Sequence, residues 1–210
     1  MSKVLEVESK WILSREDYDA LLASCRILKT VDQLNIYFDD NWSLAQIGAT
    51  CRIRLAPGEQ QFTLKFPAAR MKENARSSWE INLDLREVFD CKIGIVHHVD
   101  VSSLPRSATE ALTALDVSHL DRVGRMRNKR RVVEWPGVGR FELDSFCLPG
   151  NEWMFEAEIE TEDDDLRRAL IAAVRRVAPN AKPSEKSKFQ RFREAAERAA
   201  RSRVRAGMTC

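Results

Sequence analysis

Val4-Leu5-Glu6-Val7-Glu8-Ser9-Lys10-Trp11 stands near the start of the chain and sets a pattern that later segments repeat. Successive side chains of a β-strand point to opposite faces, so Glu6, Glu8 and Lys10 share one face while apolar residues share the other. A single row of this kind also suits the solvent face of a half-buried strand. Its meaning therefore depends on whether the pattern recurs.

Charged residues do recur at every second position in several later segments. A hairpin at 51–66 turns at Pro57-Gly58 and places Arg52 and Arg54 on one face of its outgoing arm, with Lys65 on the return arm. Like charges that face one another across strands are destabilising unless an anion or acidic neighbours lie between them. Acidic rows are supplied by Glu80 in 77–85, Glu142 and Asp144 in 139–146, and Glu156 and Glu158 in 153–160.

Helices are predicted between and after these strands. A capping box at Ser14 introduces a helix over about 15–25, and another helix begins near Ser107. An acidic first turn introduces a helix at about 163–177, which suits the helix dipole. Ser184 is the predicted cap of a basic C-terminal helix. The chain thus combines charged strands with amphipathic helices.

One strand, predicted at 125–135, carries the dense basic run Arg125-Met126-Arg127-Asn128-Lys129-Arg130-Arg131. Out of context, such a run suggests a localisation signal or a nucleic-acid patch. It leads, however, to the turn Pro136-Gly137 and a return strand, as in a hairpin; a further strand is predicted at 32–40. We therefore interpret the run as part of a sheet and expect no specific nucleic-acid partner.

The composition limits the class of protein. With 210 residues, 44% hydrophobic and 31% charged, the chain fits one globular domain at 1–206 followed by a frayed end at 207–210. No apolar run approaches the ~18 residues of a membrane span, and no secretory signal is visible, so we expect a cytoplasmic protein without a membrane partner. Five scattered cysteines argue against a disulfide framework or a zinc site.

The charged rows predict an α+β fold built on a barrel. One closed antiparallel sheet can turn every charged row inward, with helices covering its apolar outside. Buried charges are tolerated when they are paired or bind metal, and divalent cations would add the positive charge that a phosphate chain requires. The inward candidates are Lys10, Arg52, Arg54, Lys65, Arg130, Lys188, Glu6, Glu8, Glu80, Glu142, Asp144, Glu156 and Glu158.

These residues resemble a known family. Glu6-Val7-Glu8-Ser9-Lys10 is similar to the Glu-x-Glu-x-Lys signature of the CYTH superfamily, the triphosphate tunnel metalloenzymes. The downstream elements resemble family positions in the family's order, over about residues 4–192: Arg52-x-Arg54, Lys65, Glu80, Arg130, Glu142-x-Asp144, Glu156-x-Glu158 and Ser187-Lys188. A lone first motif is weak, whereas the ordered set is specific.

The resemblance implies an eight-stranded antiparallel tunnel that binds a linear triphosphate together with Mg²⁺ or Mn²⁺. It implies metal ligands at Glu6, Glu8, Asp144, Glu156 and Glu158. It implies phosphate binding by Lys10, Arg52, Arg54, Lys65, Arg130 and Lys188, with Lys186 as an alternative to Lys188, and Arg127 or Arg131 as alternatives to Arg130. Lys10, Glu80, Arg130 and Lys188 are expected to support catalysis, and Glu80 and Glu142 to orient basic neighbours.

Within that family, the stretch 130–160 looks most like single-domain inorganic tripolyphosphatases, which act on a small polyanion. Thiamine triphosphatase is an alternative that requires an aromatic wall at the tunnel mouth, for which Trp42, Trp79 or Trp153 are candidates. A class IV-type adenylyl cyclase is disfavoured by the absence of a His-Phe motif near the N-terminus. A non-catalytic polyphosphate- or nucleotide-binding module also remains open, as does the choice between monomer and homodimer.

Overall fold

The computed structural model describes residues 4–70, 75–85 and 97–205. Its strands are β1 (Val4–Leu13), β2 (Arg26–Asp39), β3 (Thr50–Ala56), β4 (Glu59–Arg70), β5 (Ala75–Asp84), β6 (His98–Asp100), β7 (His119–Trp135), β8 (Gly139–Leu148), β9 (Glu152–Glu160) and β10 (Lys182–Pro183). Its helices are α1 (Arg15–Ser24), α2 (Ser43–Gln46), α3 (Arg106–Thr113), α4 (Asp164–Val177) and α5 (Lys188–Arg205), with a 3₁₀ turn at Val101–Ser103.

Eight strands of this set close into an antiparallel barrel. Neighbours follow the order β1-β5-β4-β3-β2-β7-β8-β9, and β9 pairs with β1 to close the ring. The short strands β6 and β10 add to β7 and β1 on the outside of the ring. The predicted eight-stranded barrel is thereby confirmed.

Strand alternation separates a charged interior from an apolar exterior. On β1, Glu8 and Lys10 face the interior, whereas Trp11, 1% exposed, packs outside against α1 and α4. The outer faces of β2 to β5 are covered by α2 and α3 in a second apolar cluster. The hydrophobic core therefore lies between barrel and helices, which leaves the interior free for ionic groups.

A third apolar cluster closes one end of the barrel. Phe189 and Phe192 of α5 pack against Tyr37, with ring centroids 4.8 Å and 5.2 Å from the Tyr37 ring. Offset aromatic contacts of this kind add to the stabilisation from buried area. The last helix is thus held against this end of the barrel by aromatic packing.

Two element boundaries differ from the sequence-based prediction. Strand β2 begins at Arg26, not near 32, because its first residues pair with the C-terminal half of the long strand β7. Helix α5 is capped by Ser187, whose Oγ accepts the Gln190 amide at 3.1 Å. Ser184 cannot be the cap, because its own amide donates to Lys10 O at 2.8 Å and keeps the chain extended along β1. Of the helices within the described ranges, none is both long and apolar enough to cross a bilayer.

Gly124 allows α5 to approach β7 closely, so we expect Gly124→Ala to destabilise the protein. The backbone angle φ is 155° there, and an added Cβ would lie 2.3 Å from Phe192 Cζ. Overpacking of a dense core costs about 1–3 kcal/mol, which chemical denaturation would measure. Gly58→Ala is the control for the cost of an alanine at positive φ alone, since φ is 77° there and nothing lies within 4 Å of its added Cβ. An equal loss of unfolding free energy in both variants would contradict the steric argument.

Candidate active site

A cavity of about 270 Å³ lies inside the barrel. Its described lining contains six cations and five carboxylates, with amide and hydroxyl groups between them. Ten of the predicted site residues line it: Glu6, Glu8, Lys10, Arg52, Arg54, Lys65, Glu80, Arg130, Glu158 and Lys188. Tyr37 and Phe189 form its apolar floor. The alternation seen in the sequence therefore brings these side chains to one cavity.

The carboxylates of β1 and β9 form an acidic wall. Glu8 pairs in register with Glu160, and Glu6 lies one inward position further along β1. Partial burial, together with the nearby carboxylates Glu6 and Glu142, raises the pKa of Glu160 to about 7. Burial also raises the pKa of Glu6, although Lys65 opposes that rise. Carboxylates with too little compensating positive charge form a suitable site for a divalent cation.

Glu158 connects three cations at the centre of the cavity. Its oxygens lie 3.1 Å from Lys10 Nζ and 2.5 Å from an Arg130 terminal nitrogen, and it also contacts Lys188. Burial raises the pKa of Glu158, but Lys10, Lys188 and Arg130 outweigh that effect and hold it well below its usual range. Burial likewise lowers the pKa of Lys10, yet Glu158 and Glu8 keep it above its usual value. All four groups are therefore charged at neutral pH.

The opposite wall, on β3, is cationic. Arg54 has weak partners only, at 3.4 Å from Asn35 Oδ1 and 3.8 Å from Glu59 Oε1. Burial and the neighbouring cations Arg52 and Arg130 lower the pKa of Arg54 to about 10. The Arg52 Nε atom is buried and has no hydrogen-bond partner among the described residues. Guanidinium groups that lie close together and have few hydrogen-bond partners can bind an anion such as phosphate.

Lys65 stands between the two walls and contacts three carboxylates. Its Nζ lies 3.2 Å from Glu80 Oε1 and 3.4 Å from Glu8 Oε2, and it also contacts Glu6. Burial raises the pKa of Glu80, but Lys65 and Arg52 lower it more, to about 2. Glu80 is therefore ionised and forms an ion pair with Lys65.

Two predicted metal ligands, Asp144 and Glu156, lie behind the cavity wall with 0% exposure. Asp144 receives two hydrogen bonds from Arg130, at 3.0 and 2.7 Å, and lies 2.9 Å from Lys188 Nζ. Glu156 lies 2.8 Å from Lys188 and 3.1 Å from Arg191. Their oxygens are thus occupied by cations, and they fix the positions of the residues in front of them.

An acidic cluster of Glu142, Asp144 and Glu158 has oxygens within 4.8 Å of one another, close enough for one metal ion. Arg130 forms ion pairs with all three, so its guanidinium fills the space that such an ion would need. Burial, the largest effect, and the other carboxylates raise the pKa of Glu142 to about 7, although Arg130 opposes them. In this arrangement the three carboxylates bind the Arg130 guanidinium and leave no room for a metal ion.

The structure distinguishes between the alternatives that the sequence left open. Arg130 faces the cavity, whereas Arg127 is exposed and Arg131 contacts the Tyr18 hydroxyl on the outer wall. Lys188 reaches into the barrel, whereas Lys186, the alternative phosphate binder, lies outside with its Nζ 2.7 Å from Glu194. Because α5 begins only after Ser187, Lys188 lies in its first turn and turns inward.

Sequence reasoning missed two charged residues of the site. Glu160 lines the cavity mouth, and it continues the alternating series of Glu156 and Glu158. Arg191 holds Glu156 and also donates to Ser184 Oγ; it follows Lys188 by three residues, nearly one helical turn. Extending the period-two pattern of β9 by one position gives Glu160, and extending the helical spacing from Lys188 by one turn gives Arg191.

A family model described as the CYTH domain matches residues 5–193. The chain belongs to the CYTH family. The match spans the strands that form the barrel and the first turn of α5, which carries Lys188. No curated protein sequence matches this CYTH chain.

Solved structures share the CYTH fold of this chain. A putative adenylyl cyclase from Hippeastrum, described as having a dominant triphosphatase activity, superposes with a TM-score of 0.70 at 24% identity, covering 90% of this chain and 95% of that one. A putative adenylate cyclase from Bacillus halodurans gives 0.68 at 21% identity, with 91% and 99% coverage. The PH1819 protein from Pyrococcus horikoshii gives 0.56 at 16% identity, with 90% and 98% coverage. These likenesses establish the fold.

Proposed function

We propose that the protein is a metal-dependent inorganic triphosphatase that releases one phosphate from tripolyphosphate. The observation that carries the proposal is the division of one small, polar cavity into a cationic wall and an acidic wall. Arg52 and Arg54 would bind phosphate oxygens, and Glu6, Glu8 and Glu160 would hold the metal. Asp144, Glu156 and Glu158, given as metal ligands by the family resemblance, would instead position Arg130 and Lys188.

The donor set fits a hard divalent cation such as Mg²⁺ or Mn²⁺. Both prefer oxygen ligands, and the acidic wall offers the carboxyl groups of Glu6 and Glu160, whose pKa values are raised by burial and by neighbouring carboxylates. When bound, the cation supplies positive charge beside the phosphoryl oxygens and lowers the pKa of a bound water. Lys65, now shared among three carboxylates, would then be able to bind phosphate as well.

The charged residues supply electrostatic stabilisation rather than covalent chemistry. In phosphoryl transfer, catalysis consists largely of positioning the phosphates and compensating the charge that develops on them. Arg130 and Lys188 are fixed by buried carboxylates at 2.7 to 2.9 Å, so they need little reorganisation during the reaction. Lys10, held between Glu8 and Glu158, adds a further fixed charge.

The cavity favours an inorganic substrate over an organic triphosphate. Within the described lining, none of Trp42, Trp79 and Trp153 occurs. Trp153 projects from the outer wall with 62% exposure, and Trp42 packs near Phe189. Tyr37 and Phe189 of the floor already pack against each other. An aromatic wall for a thiazolium or adenine ring is therefore not formed by these tryptophans, which disfavours the two organic alternatives.

A substrate panel tests the proposal. Phosphate release would be measured with Mg²⁺ or Mn²⁺ on tripolyphosphate, thiamine triphosphate and ATP, and cyclic AMP would be assayed with ATP. We expect the highest kcat/KM with tripolyphosphate and no turnover after chelation. A clear preference for thiamine triphosphate, or formation of cyclic AMP, would replace the proposal with the corresponding alternative. Binding without turnover of any of them would indicate a binding module.

Stabilisation by Mg²⁺ should depend on pH through the acidic wall. Glu160 of this wall has a folded-state pKa of about 7, raised from the ordinary value, so the folded protein holds a proton there that the unfolded chain releases. The contribution of this proton to stability is complete below the ordinary carboxyl pKa and is lost as the pH rises through about 7. Mg²⁺ then replaces the proton, so it should raise Tm more near pH ~8 than near pH ~6.

Two variants test whether Glu160 causes the pH dependence of the Tm increase with Mg²⁺. Glu160→Gln should reduce the difference between the two pH values, because the amide neither titrates nor carries charge. Glu162→Gln, two residues later and exposed, is the matched control and should leave it unchanged. An increase of Tm with Mg²⁺ that is the same at both pH values would contradict metal binding at this wall.

A further inference from the structure

The outer wall of the barrel carries a groove that shares only Asn128 with the described lining of the tunnel cavity. It has a volume of about 890 Å³ and lies where helices leave β2, β7, β8 and β9 uncovered. Leu34, Arg127, Lys129, Cys147 and Trp153 are among its lining residues. A second groove of about 450 Å³ shares Lys129 and Trp153 with the first. The two grooves together form a trough on the outside of the sheet.

Strand register explains the shape of this trough. On the outer face, Lys129 of β7 pairs with Ser145 of β8, and Cys147 of β8 pairs with Trp153 of β9. Small side chains on the middle strand make the floor, whereas long side chains on the two flanking strands make the sides. One side is therefore cationic, and the other presents an indole ring.

The cationic side is a regular row. Arg125, Arg127, Lys129 and Arg131 occupy alternate positions of β7, so their Cα atoms repeat about every 6.7 Å along the strand. Within the part of the chain that the structure describes, Arg125 and Arg127 are exposed and form no ion pair. Lys129 has one long contact, 3.7 Å from Asp32. The row thus offers unused positive charge in a line.

Trp153 supplies a second, independent feature. With 62% exposure it is the most exposed large hydrophobic residue of the described chain. An indole face held beside a row of cations can stack on a nucleobase while the cations bind the backbone, which is how single strands are bound without sequence readout. Bases inside a duplex are stacked on their neighbours and would not be available to Trp153.

We propose that the trough, defined by Arg127, Lys129, Arg131 and Trp153, binds single-stranded nucleic acid without sequence specificity. A mononucleotide would fill only part of two connected grooves of this size. A polyphosphate chain would use the cations but not the indole ring. A single strand uses both features over their whole length. The cations and the tryptophan of the trough do not line the tunnel cavity, whereas Asn128 and Arg130, which alternate with them on β7, do; the site is therefore independent of the proposed triphosphatase activity.

Fluorescence anisotropy on the full chain tests the proposal. The probes are fluorescein-labelled oligouridylate and oligothymidylate of about twelve nucleotides, within the range of single-strand site sizes, titrated over a series of NaCl concentrations. Arg127→Gln combined with Lys129→Gln should weaken binding about tenfold and flatten the log Kd against log[NaCl] slope by about 1.4, at ~0.7 per phosphate contact. Trp153→Ala should weaken binding about fivefold to a hundredfold. The two probes together show whether RNA and DNA are distinguished.

A charge-matched control separates the trough from general electrostatic attraction. Arg106→Gln combined with Arg201→Gln also removes two highly exposed cations, from α3 and α5, and should leave affinity unchanged. Arg52→Gln, which changes the tunnel cavity and not the trough, should also leave oligonucleotide affinity unchanged. Equal effects of the trough and control variants would overturn the proposal, as would weaker oligonucleotide binding in Arg52→Gln. The proposal would also be overturned if the protein bound long-chain polyphosphate with an affinity that Trp153→Ala leaves unchanged, and bound no oligonucleotide. Thermal unfolding would confirm that each variant is folded.

Discussion

Arg52→Gln is expected to lower kcat/KM for tripolyphosphate about a hundred- to a thousandfold, the usual effect of losing one group that stabilises developing charge. The Arg52 side chain faces the cavity, and its Nε atom has no hydrogen-bond partner among the described residues. Its positive charge is therefore available to the substrate. The measurement is steady-state phosphate release under saturating Mg²⁺.

The same substitution should not destabilise the fold. Arg52 contributes to the crowding that, after burial itself, lowers the pKa of Arg54 to about 10, so removing its charge relieves a repulsion. We expect an unchanged or raised Tm, as is common when a functional charge cluster is reduced. Arg106→Gln, on the exposed side of α3, is the control that should change neither quantity. Full activity of Arg52→Gln, or unfolding that accounts for its loss, would count against a phosphate-binding role.

Lys188→Met should cause the largest loss of stability among the cavity variants. Lys188 is buried among Asp144, Glu156 and Glu158, and its removal leaves carboxylates with fewer partners. Breaking a buried ionic network by deleting one member costs about 3–5 kcal/mol. For a chain of this length, that corresponds to a fall in Tm on the order of 10 °C. Activity should fall as well, and thermal and chemical denaturation would measure the stability change.

Lys186→Met is the matched control, only two residues earlier in the chain. Its ammonium pairs with Glu194 on the surface, an arrangement typically worth less than about 1 kcal/mol. The loss in Lys188→Met should also shrink in acid. Burial raises the pKa values of Asp144 and Glu158, but their cations lower them below the usual range, so the pairing stabilises above the ordinary value of about 4 and fails below it. Similar Tm values for the two lysine variants would contradict the assignment of Lys188 to the interior.

The alternation of residue types was sufficient to predict the barrel and most of its lining. Glu8 and Lys10 on β1 indicated an interior face, and the turns at Pro57-Gly58 and Pro136-Gly137 located two hairpins. Period-two patterning is reliable here because one face is ionic and the other apolar, so a one-residue slip would reverse both. The contrast between ionic and apolar strand faces is what allows the fold to be predicted from the sequence.

The missed details depend on contacts between distant parts of the chain. Nothing in the local sequence shows that Glu156 is covered by Arg191 whereas Glu160 remains at the mouth, because that difference arises from where α5 docks. Likewise, Ser184 and Ser187 are both plausible caps. Only the hydrogen bond from Ser184 to β1 excludes the first of them. Tertiary contacts therefore decide how deeply a side chain is buried and where a helix begins, and the periodicity of the sequence determines neither.

The meeting of Lys188 with Lys10 around Glu158 has a consequence for synthesis on the ribosome. Residues so far apart in sequence meet only after nearly all of the chain has left the exit tunnel, and such non-local pairing is slow. Until then, the acidic strand β9 lacks its late-arriving counter-ion. A nascent chain stalled before α5 should therefore remain sensitive to protease, and it should become resistant once translation has passed that helix.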